Sequence, residues 1–161
     1  MFTNKALLVE KIIASLDAEL ALLAQSARSA HEEATHEQSR AENKYDTRGL
    51  EASYLARGQS RQAAETLAAR EEYGAFKPRQ FKPGEAIDLG AVVELEGDGA
   101  PALYFIGPRA GGTEIVHQRR PIVVMTPQSP LGSQLVGRKQ GDRLVMEIGR
   151  SRVAYLVARV W

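Results

Sequence analysis

The chain contains no cysteine, which excludes disulfides, thiolate metal sites, iron–sulfur ligation and a cysteine nucleophile. It also lacks an apolar run near the ~20 residues of a membrane-spanning helix. Its apolar stretches, such as Leu20–Ala24, are short and end at polar neighbours on both sides. The first residues do not follow the basic, apolar and small-residue order of a secretory signal. We therefore expect a soluble cytoplasmic protein with no membrane partner.

The chain also lacks a marked excess of positive or negative charge. The 161 residues include 21 Lys and Arg against 20 Asp and Glu, a formal net charge of +1. A balanced chain has no global attraction to nucleic acid or to anionic lipid. Any charge-driven partner must therefore be met by a local patch. Hydrophobic residues at 43% and charged residues at 25% are close to globular averages and predict a folded chain.

Proline is absent from residues 5–73, and glycine occurs there only at Gly49 and Gly58. All seven prolines and twelve of the fourteen glycines follow residue 73, where β-forming residues also increase. The charge shifts as well, since residues 1–75 carry nine basic and twelve acidic residues and residues 76–161 carry twelve and eight. We predict a helical part over residues 1–75, a linker at 76–84 containing Pro78 and Pro83, and a sheet domain over residues 85–161.

The helical part has apolar residues at three- and four-residue steps from Leu8 to Ala34, the pattern of an amphipathic helix. We predict a helix from about residue 5 to about residue 38, with Asn4 as its N-cap. At ~1.5 Å per residue this helix is on the order of 50 Å long, too long to bury its length against a small sheet domain. The Ala-rich segment Thr47–Glu72 supplies a helical partner, so we predict an antiparallel hairpin that turns between about residues 37 and 48.

The second part has six strand-like runs separated by turn residues. They are residues 91–95, 102–106, 114–117, 122–125, 144–148 and 153–157. A short helix interrupts them at residues 129–137, with Ser129 as N-cap, Pro130 at the first helical position and Gly137 as C-cap. The predicted fold is α+β, with an N-terminal antiparallel α-helical coiled-coil hairpin followed by a small antiparallel sheet domain with one short helix.

The segment from Thr126 to Asp142 carries a resemblance to a known family. It reads Ser-Pro-hydrophobic, a short helix, Leu-hydrophobic-Gly and then Gly-Asp before a strand. This pattern resembles the C-terminal domain of bacterial Gre-type (GreA/GreB family) transcription elongation factors. The order of hairpin, linker and sheet domain is similar as well. The resemblance implies an FKBP-like sheet domain and a hairpin that enters the secondary channel of RNA polymerase.

The resemblance also implies a role for carboxylates at the hairpin tip. In the family, they help to hold a second Mg²⁺ at the polymerase active site and stimulate hydrolysis of backtracked RNA. Mg²⁺ prefers such hard oxygen ligands and can activate a water. The candidates here are Asp46, Glu42 and Glu51, with Asp46 and Glu42 as the expected ligands of the shared Mg²⁺. The alternative is that all three belong to a solvated loop and helix start, where Asp46 caps the second helix.

The resemblance to Gre-type factors also implies that the protein is an accessory factor. We expect it to have no cofactor of its own and not to be an enzyme itself. We expect a monomer that meets nucleic acid only indirectly, through the elongation complex. Ser129, Pro130 and Leu131 are predicted to contact the partner. Arg119 and Arg120 either meet an acidic polymerase surface or form a solvated sheet edge.

Other functions remain open from the sequence. The protein could occupy the polymerase channel without stimulating cleavage, as an inhibitory Gre homologue or an Rnk-like protein is thought to do. It could also be a generic coiled-coil interaction module that self-associates through the seam between Leu8 and Leu23. A peptidyl-prolyl isomerase is suggested by the fold resemblance alone, which does not confer an activity.

Overall fold

A computed structural model describes residues 4–35, 48–97, 99–148 and 151–161 of the chain. It is an α+β protein with two long helices, α1 (Lys5–Thr35) and α2 (Arg48–Ala75). The Asn4 side chain accepts a hydrogen bond from the Leu7 N–H at 3.0 Å, so the predicted N-cap of α1 is confirmed. Among the described helices, none is both long enough and apolar enough to cross a bilayer.

The chain divides into two compact units, one of Ala14–Glu71 and one of Met1–Ile13 with Glu72–Trp161. This division differs from the predicted boundary at residue 75, because the start of α1 and the end of α2 belong to the unit that contains the sheet. The segment predicted as a linker belongs to the same unit, where the Phe81 side chain is buried.

In the helical unit, polar contacts join α1 to α2 in antiparallel order. Asp17 pairs with Arg70 at 2.9 Å, and Glu19 accepts hydrogen bonds from Gln62 and Thr66 at 2.9 and 3.3 Å. Leu16 is buried in this unit.

The apolar seam predicted along α1 does not remain buried throughout. Leu8, Ile12 and Leu16 are buried, whereas Ala27 and Ala30 are exposed. The exposed methyl groups forgo little hydrophobic stabilisation, because they have little apolar surface. The predicted turn falls at residues 36–47, which lie outside the described residues. The coiled-coil hairpin therefore stays a prediction.

The sheet has six strands in the spatial order β3-β4-β2-β1-β6-β5. They are β1 (Val92–Glu96), β2 (Ala102–Ile106), β3 (Glu114–His117), β4 (Arg120–Met125), β5 (Arg143–Ile148) and β6 (Ser151–Val160). The prediction of an antiparallel sheet was wrong in one pairing, because β2 and β4 are parallel and the sheet is mixed. The reason is topological: β3 lies at the edge, and β4 returns between β3 and β2 in the direction of β2.

Both faces of the sheet bury apolar side chains. Val93 and Leu95 belong to a core cluster with Leu135 of the helix that follows β4. On the opposite face Val92 and Phe105 are fully buried. The Phe105 ring there meets Phe76 edge to face, with 6.3 Å between the centroids. The sheet therefore forms the middle layer of its unit.

Lys5, at the start of α1, is a buried lysine with 2% of its surface exposed. Its ammonium donates three hydrogen bonds, to the carbonyl oxygens of Arg79 at 2.7 Å, Gly90 at 2.9 Å and Trp161 at 2.6 Å. The Nζ atom also lies 4.7 Å from the centroid of the Phe81 ring. One side chain thus joins three distant parts of the chain.

This lysine predicts a pH dependence of stability. Burial, together with the nearby Arg79 guanidinium, lowers the pKa of Lys5 from 10.5 to about 8. Between these values the unfolded chain binds more protons than the native one, so raising the pH favours the native state. We therefore expect the free energy of unfolding of the wild type, minus that of Lys5→Met, to increase with pH in this range. The increase is at most about 1.4 kcal/mol per pH unit.

The measurement is urea denaturation of both proteins at several pH values in this window. The difference between them isolates Lys5 from the other groups that titrate there, such as tyrosines. A difference that stays constant or falls as the pH rises would contradict the prediction.

Candidate functional site

The candidate site lies where the short helix α3 (Pro130–Leu135) begins after β4. Ser129 is the N-cap, as predicted: its hydroxyl oxygen accepts a hydrogen bond from the Gly132 N–H at 3.0 Å and donates one to the Thr126 carbonyl at 2.8 Å. Pro130 occupies the first turn, where its missing N–H is not needed. The C-cap is Val136 rather than the predicted Gly137, which follows it with a φ of +86°.

Two further residues of this segment have local structural roles. A Cβ on Gly132 would lie 2.0 Å from the Thr126 carbonyl oxygen, so only glycine allows α3 to pack this closely on the preceding turn. The Asp142 carboxylate accepts a hydrogen bond from the Lys139 N–H at 2.8 Å, which closes the turn before β5. The sequence pattern therefore encodes a particular loop, helix and turn beside the sheet.

A groove of about 660 Å³ opens between α3 and the sheet. Apolar and aromatic side chains form most of its lining, with Ser129 and Thr126 as polar groups. The apolar lining residues are Tyr104, Val123, Val124, Met125, Pro130, Leu131, Met146 and Tyr155. All three residues predicted to contact a partner through this segment, Ser129 to Leu131, thus line one groove. A concave apolar surface with a few polar groups is typical of a binding site.

Two tyrosines of the groove come from strands that are distant in sequence. Tyr104 lies on β2 and Tyr155 on β6, and the ring of Tyr155 has room because Gly97 has no side chain: a Cβ there would lie 3.0 Å from the ring. Burial raises the pKa of Tyr104, and the neighbouring Tyr155 adds to this effect. The Tyr104 phenol therefore stays protonated at neutral pH and offers an O–H group beside apolar surface.

No sequence pattern marks these two tyrosines as members of one groove. Alternation along each strand shows which residues share a face within that strand. It does not show which strands are neighbours, because pairing joins residues far apart in the chain.

Arg119 and Arg120 lie at the turn between β3 and β4, away from the residues that line this groove. Arg119 has a φ of +63° and is exposed. The Arg120 guanidinium donates to the buried Glu94 carboxylate at 2.6 Å, so part of its charge serves an internal ion pair. Both readings from the sequence, a solvated edge and a partner contact, remain compatible with these positions.

The predicted tip carboxylates lie outside what the structure describes. Asp46 and Glu42 lie outside the described residues, and Glu51 lies in α2 with a side chain that is also outside them. Within the described ranges, no group of three or more His, Asp or Glu side chains could hold a metal ion. The Mg²⁺ role of Asp46 and Glu42 stays a prediction.

The N-cap of α3 provides a direct test of how the groove is built. We expect Ser129→Ala to lower the free energy of unfolding by about 1 kcal/mol, because the Gly132 N–H loses its acceptor. Ser133→Ala is the matched control in the same helix, since the Ser133 hydroxyl makes only an exposed bond to the Pro130 carbonyl. Urea denaturation measures the free energy of unfolding of both variants. Equal losses of stability would contradict the capping role of Ser129.

Several solved structures resemble the chain. The GreA factor homolog 1 (Gfh1) protein of Thermus thermophilus is 22% identical, with a TM-score of 0.38 and coverage of 95% of this chain and 94% of that one. The Gfh1 protein of Thermus aquaticus is 24% identical, with a TM-score of 0.40 and coverage of 94% and 92%. No protein-family model matches the sequence, and no curated protein is significantly similar to it. None of these likenesses is close enough to carry a function to this chain.

Proposed function

We propose that this protein is a transcription elongation regulator that binds RNA polymerase. The sheet unit docks on the enzyme through the groove beside α3, and the helices form an antiparallel coiled-coil hairpin that enters the secondary channel. The sheet unit is FKBP-like in this proposal. The protein acts in the cytoplasm as an accessory factor and meets nucleic acid only through the elongation complex.

The observation that carries the proposal is the segment from Thr126 to Asp142. It was singled out by its Gre-type pattern, and its serine, proline and glycines adopt the local conformations that such a pattern needs. The segment also forms one wall of a groove with a mainly apolar lining. A loop shape alone would support only a fold, whereas a groove at the same place offers a surface for a partner.

The chemistry at the tip decides how the bound protein acts. Asp46, Glu42 and Glu51 would help to hold the second Mg²⁺ of the polymerase and activate a water that attacks backtracked RNA. Without such carboxylates in place, the hairpin would fill the channel and inhibit, as proposed for Rnk-like proteins.

The first experiment tests docking through the groove. Leu131→Gln should weaken binding to core RNA polymerase on the order of tenfold, since it places an amide in an apolar wall. Val116→Gln is the control, because Val116 lies on β3 with 61% of its surface exposed and does not line the groove. Binding that is unchanged in both variants would contradict docking through this groove, and no binding by the wild type would contradict the proposed function.

The second experiment measures cleavage of RNA in stalled, backtracked complexes with Mg²⁺. If the tip carboxylates act, Asp46→Asn, Glu42→Gln or Glu51→Gln should slow cleavage on the order of 10–100-fold while binding persists. Glu10→Gln, an exposed glutamate near the other end of α1, is the matched control. Binding without any stimulation of cleavage by the wild type would establish the channel-occupying alternative.

A further inference from the structure

Strand β5 is an edge of the sheet, and its outer side is open. The Val157 N–H donates to the Asp142 carbonyl at 2.9 Å, which fixes the alternation of the β5–β6 ladder. In an antiparallel pair, every second residue bonds to the neighbouring strand. The even-numbered residues of β5 therefore bond to β6. The backbone N–H and C=O groups of Arg143, Val145 and Glu147 point away from the sheet.

The opposite edge of the sheet, β3, is shorter and offers fewer outward backbone groups than β5. By the same alternation, Glu114 and Val116 are the β3 residues whose backbones face outward, and the Val116 carbonyl accepts a hydrogen bond from the Lys11 ammonium at 2.7 Å. A lysine that covers an edge is a common defence against unwanted strand pairing. On β5 only the Arg143 carbonyl has such a bond among the described residues, from Arg138 at 3.2 Å.

The side chains of β5 make this open edge self-complementary. Arg143, Val145 and Glu147 are exposed on one face, with Val145 51% exposed, while Leu144 and Met146 are buried on the other. If two such strands pair antiparallel about Val145, each Arg143 lies opposite a glutamate of the other copy. Cross-strand pairs of opposite charge and of β-branched residues stabilise a sheet.

We propose that two copies of this chain associate through β5, antiparallel, with Val145 opposite the partner subunit's Val145 and Arg143 opposite the partner subunit's Glu147. The outward backbone groups of residues 143, 145 and 147 then form the ladder hydrogen bonds between the copies, and the Arg143 carbonyl exchanges its bond from Arg138 for one from the partner subunit's Glu147 N–H. The two sheets join across a twofold axis, which is the symmetry that a self-complementary edge produces. This pairing replaces the monomer that the sequence led us to expect, and it does not depend on the polymerase function.

The charges select this register over its neighbours. A slip that keeps the outward groups facing each other moves the centre by one residue or by two. Centring the pair on Leu144 places Arg143 opposite Val145, and centring it on Met146 places Glu147 opposite Val145, so neither forms an opposite-charge pair. Centring the pair on Arg143 would place two arginines opposite each other, and centring it on Glu147 would place two glutamates together. Like charges directly opposite destabilise a sheet pair. Among these registers, the arrangement about Val145 is the one that forms opposite-charge pairs.

Sedimentation of the full chain from ~10 µM to ~1 mM tests the association, a range suited to a short contact. We expect mass to rise with concentration towards a dimer. Over the same range, amide exchange should slow at Val145 and Glu147 and stay unchanged at Leu144 and Met146, which already bond to β6. A wild type that remains monomeric, or exchange that shows no such alternation, would overturn the proposal.

Charge variants test the register. Arg143→Glu and Glu147→Arg each place like charges opposite one another and should weaken self-association on the order of tenfold or more. An equimolar mixture of the two variants restores both opposite-charge pairs, so it should associate as the wild type does. Association that is unaffected by either substitution, or a mixture that stays monomeric, would overturn the pairing.

Val145→Pro provides an independent check. The Val145 N–H points outward, so proline there removes a hydrogen bond between copies and none within the β5–β6 pair. We expect this variant to be a monomer with an unchanged circular dichroism spectrum. A folded Val145→Pro protein that still dimerises would overturn the proposal, and if proline unfolds the strand, the mixture of charge variants decides.

Discussion

Replacing Lys5 with methionine is expected to lower the free energy of unfolding by about 3 kcal/mol, because buried carbonyls lose their donor. The carbonyls of Arg79 and Gly90 receive the ammonium at 2.7 and 2.9 Å. The Trp161 carbonyl, which is the third acceptor, also accepts a hydrogen bond from the Val92 N–H at 3.0 Å. Methionine fills a similar volume without donating, so the loss measures the hydrogen bonds rather than a cavity.

Burying the charged ammonium costs free energy in the wild type, and methionine removes this cost. The expected loss of stability in Lys5→Met is therefore smaller than three full hydrogen-bond penalties. Lys11→Met is the matched control in the same helix, since the Lys11 ammonium makes one exposed bond to the Val116 carbonyl. Its expected loss is below about 1 kcal/mol. Urea denaturation at pH 7 compares the two, and equal losses would contradict the structural role of Lys5.

Gly107→Ala is expected to destabilise the protein by roughly 2–3 kcal/mol through overpacking. A Cβ at Gly107 would lie 2.1 Å from the Tyr73 hydroxyl and 3.0 Å from Val124 Cγ1. The Tyr73 side chain has little freedom to move away. Its exposed fraction is 1%, and its hydroxyl donates to the Arg109 carbonyl at 2.8 Å.

A double-mutant cycle with Tyr73→Phe isolates this contact. Tyr73→Phe alone should cost about 1 kcal/mol, for the lost hydrogen bond to Arg109. Because it also removes the atom nearest to the new methyl group, the double variant should be more stable than the sum of the single losses predicts, by on the order of 1 kcal/mol. Strictly additive losses would show that the clash lies elsewhere.

Gly74→Ala is the control for the change from glycine to alanine. Gly74 is in α2 beside Tyr73, and a Cβ there would meet nothing within 4 Å. Alanine should therefore raise the free energy of unfolding, by up to about 1 kcal/mol, through its higher helix propensity. The opposite signs expected at Gly74 and Gly107 separate backbone propensity from steric contact.

The local elements of this fold could be predicted from the sequence because their signals are local. The strands at 102–106 and 114–117 have the predicted bounds, and α3 begins at Pro130 after a capping serine. Each depends on a few adjacent residues, such as a run of β-branched side chains or a serine before a proline. Strand β6 is longer than predicted, Ser151–Val160 rather than 153–157, because pairing with β1 and β5 extends it.

The candidate site could be predicted only in part. The sequence indicated Ser129, Pro130 and Leu131 as partner contacts, and the structure places them along a groove. The opposite wall includes Tyr104 and Tyr155, whose meeting depends on how β1, β2 and β6 pair. The tip carboxylates rest on the family resemblance and on residues outside the described ranges.

The sequence by itself determined the α+β class, the helix starts and the conformation of the segment around α3, since caps, prolines and glycines act within a few residues of themselves. Only the tertiary structure decided the mixed order of the strands, the open edge of β5 and the burial of Lys5. A lysine at the start of a helix is ordinarily solvated. Here three carbonyls distant in the chain surround it, and no local pattern encodes that arrangement.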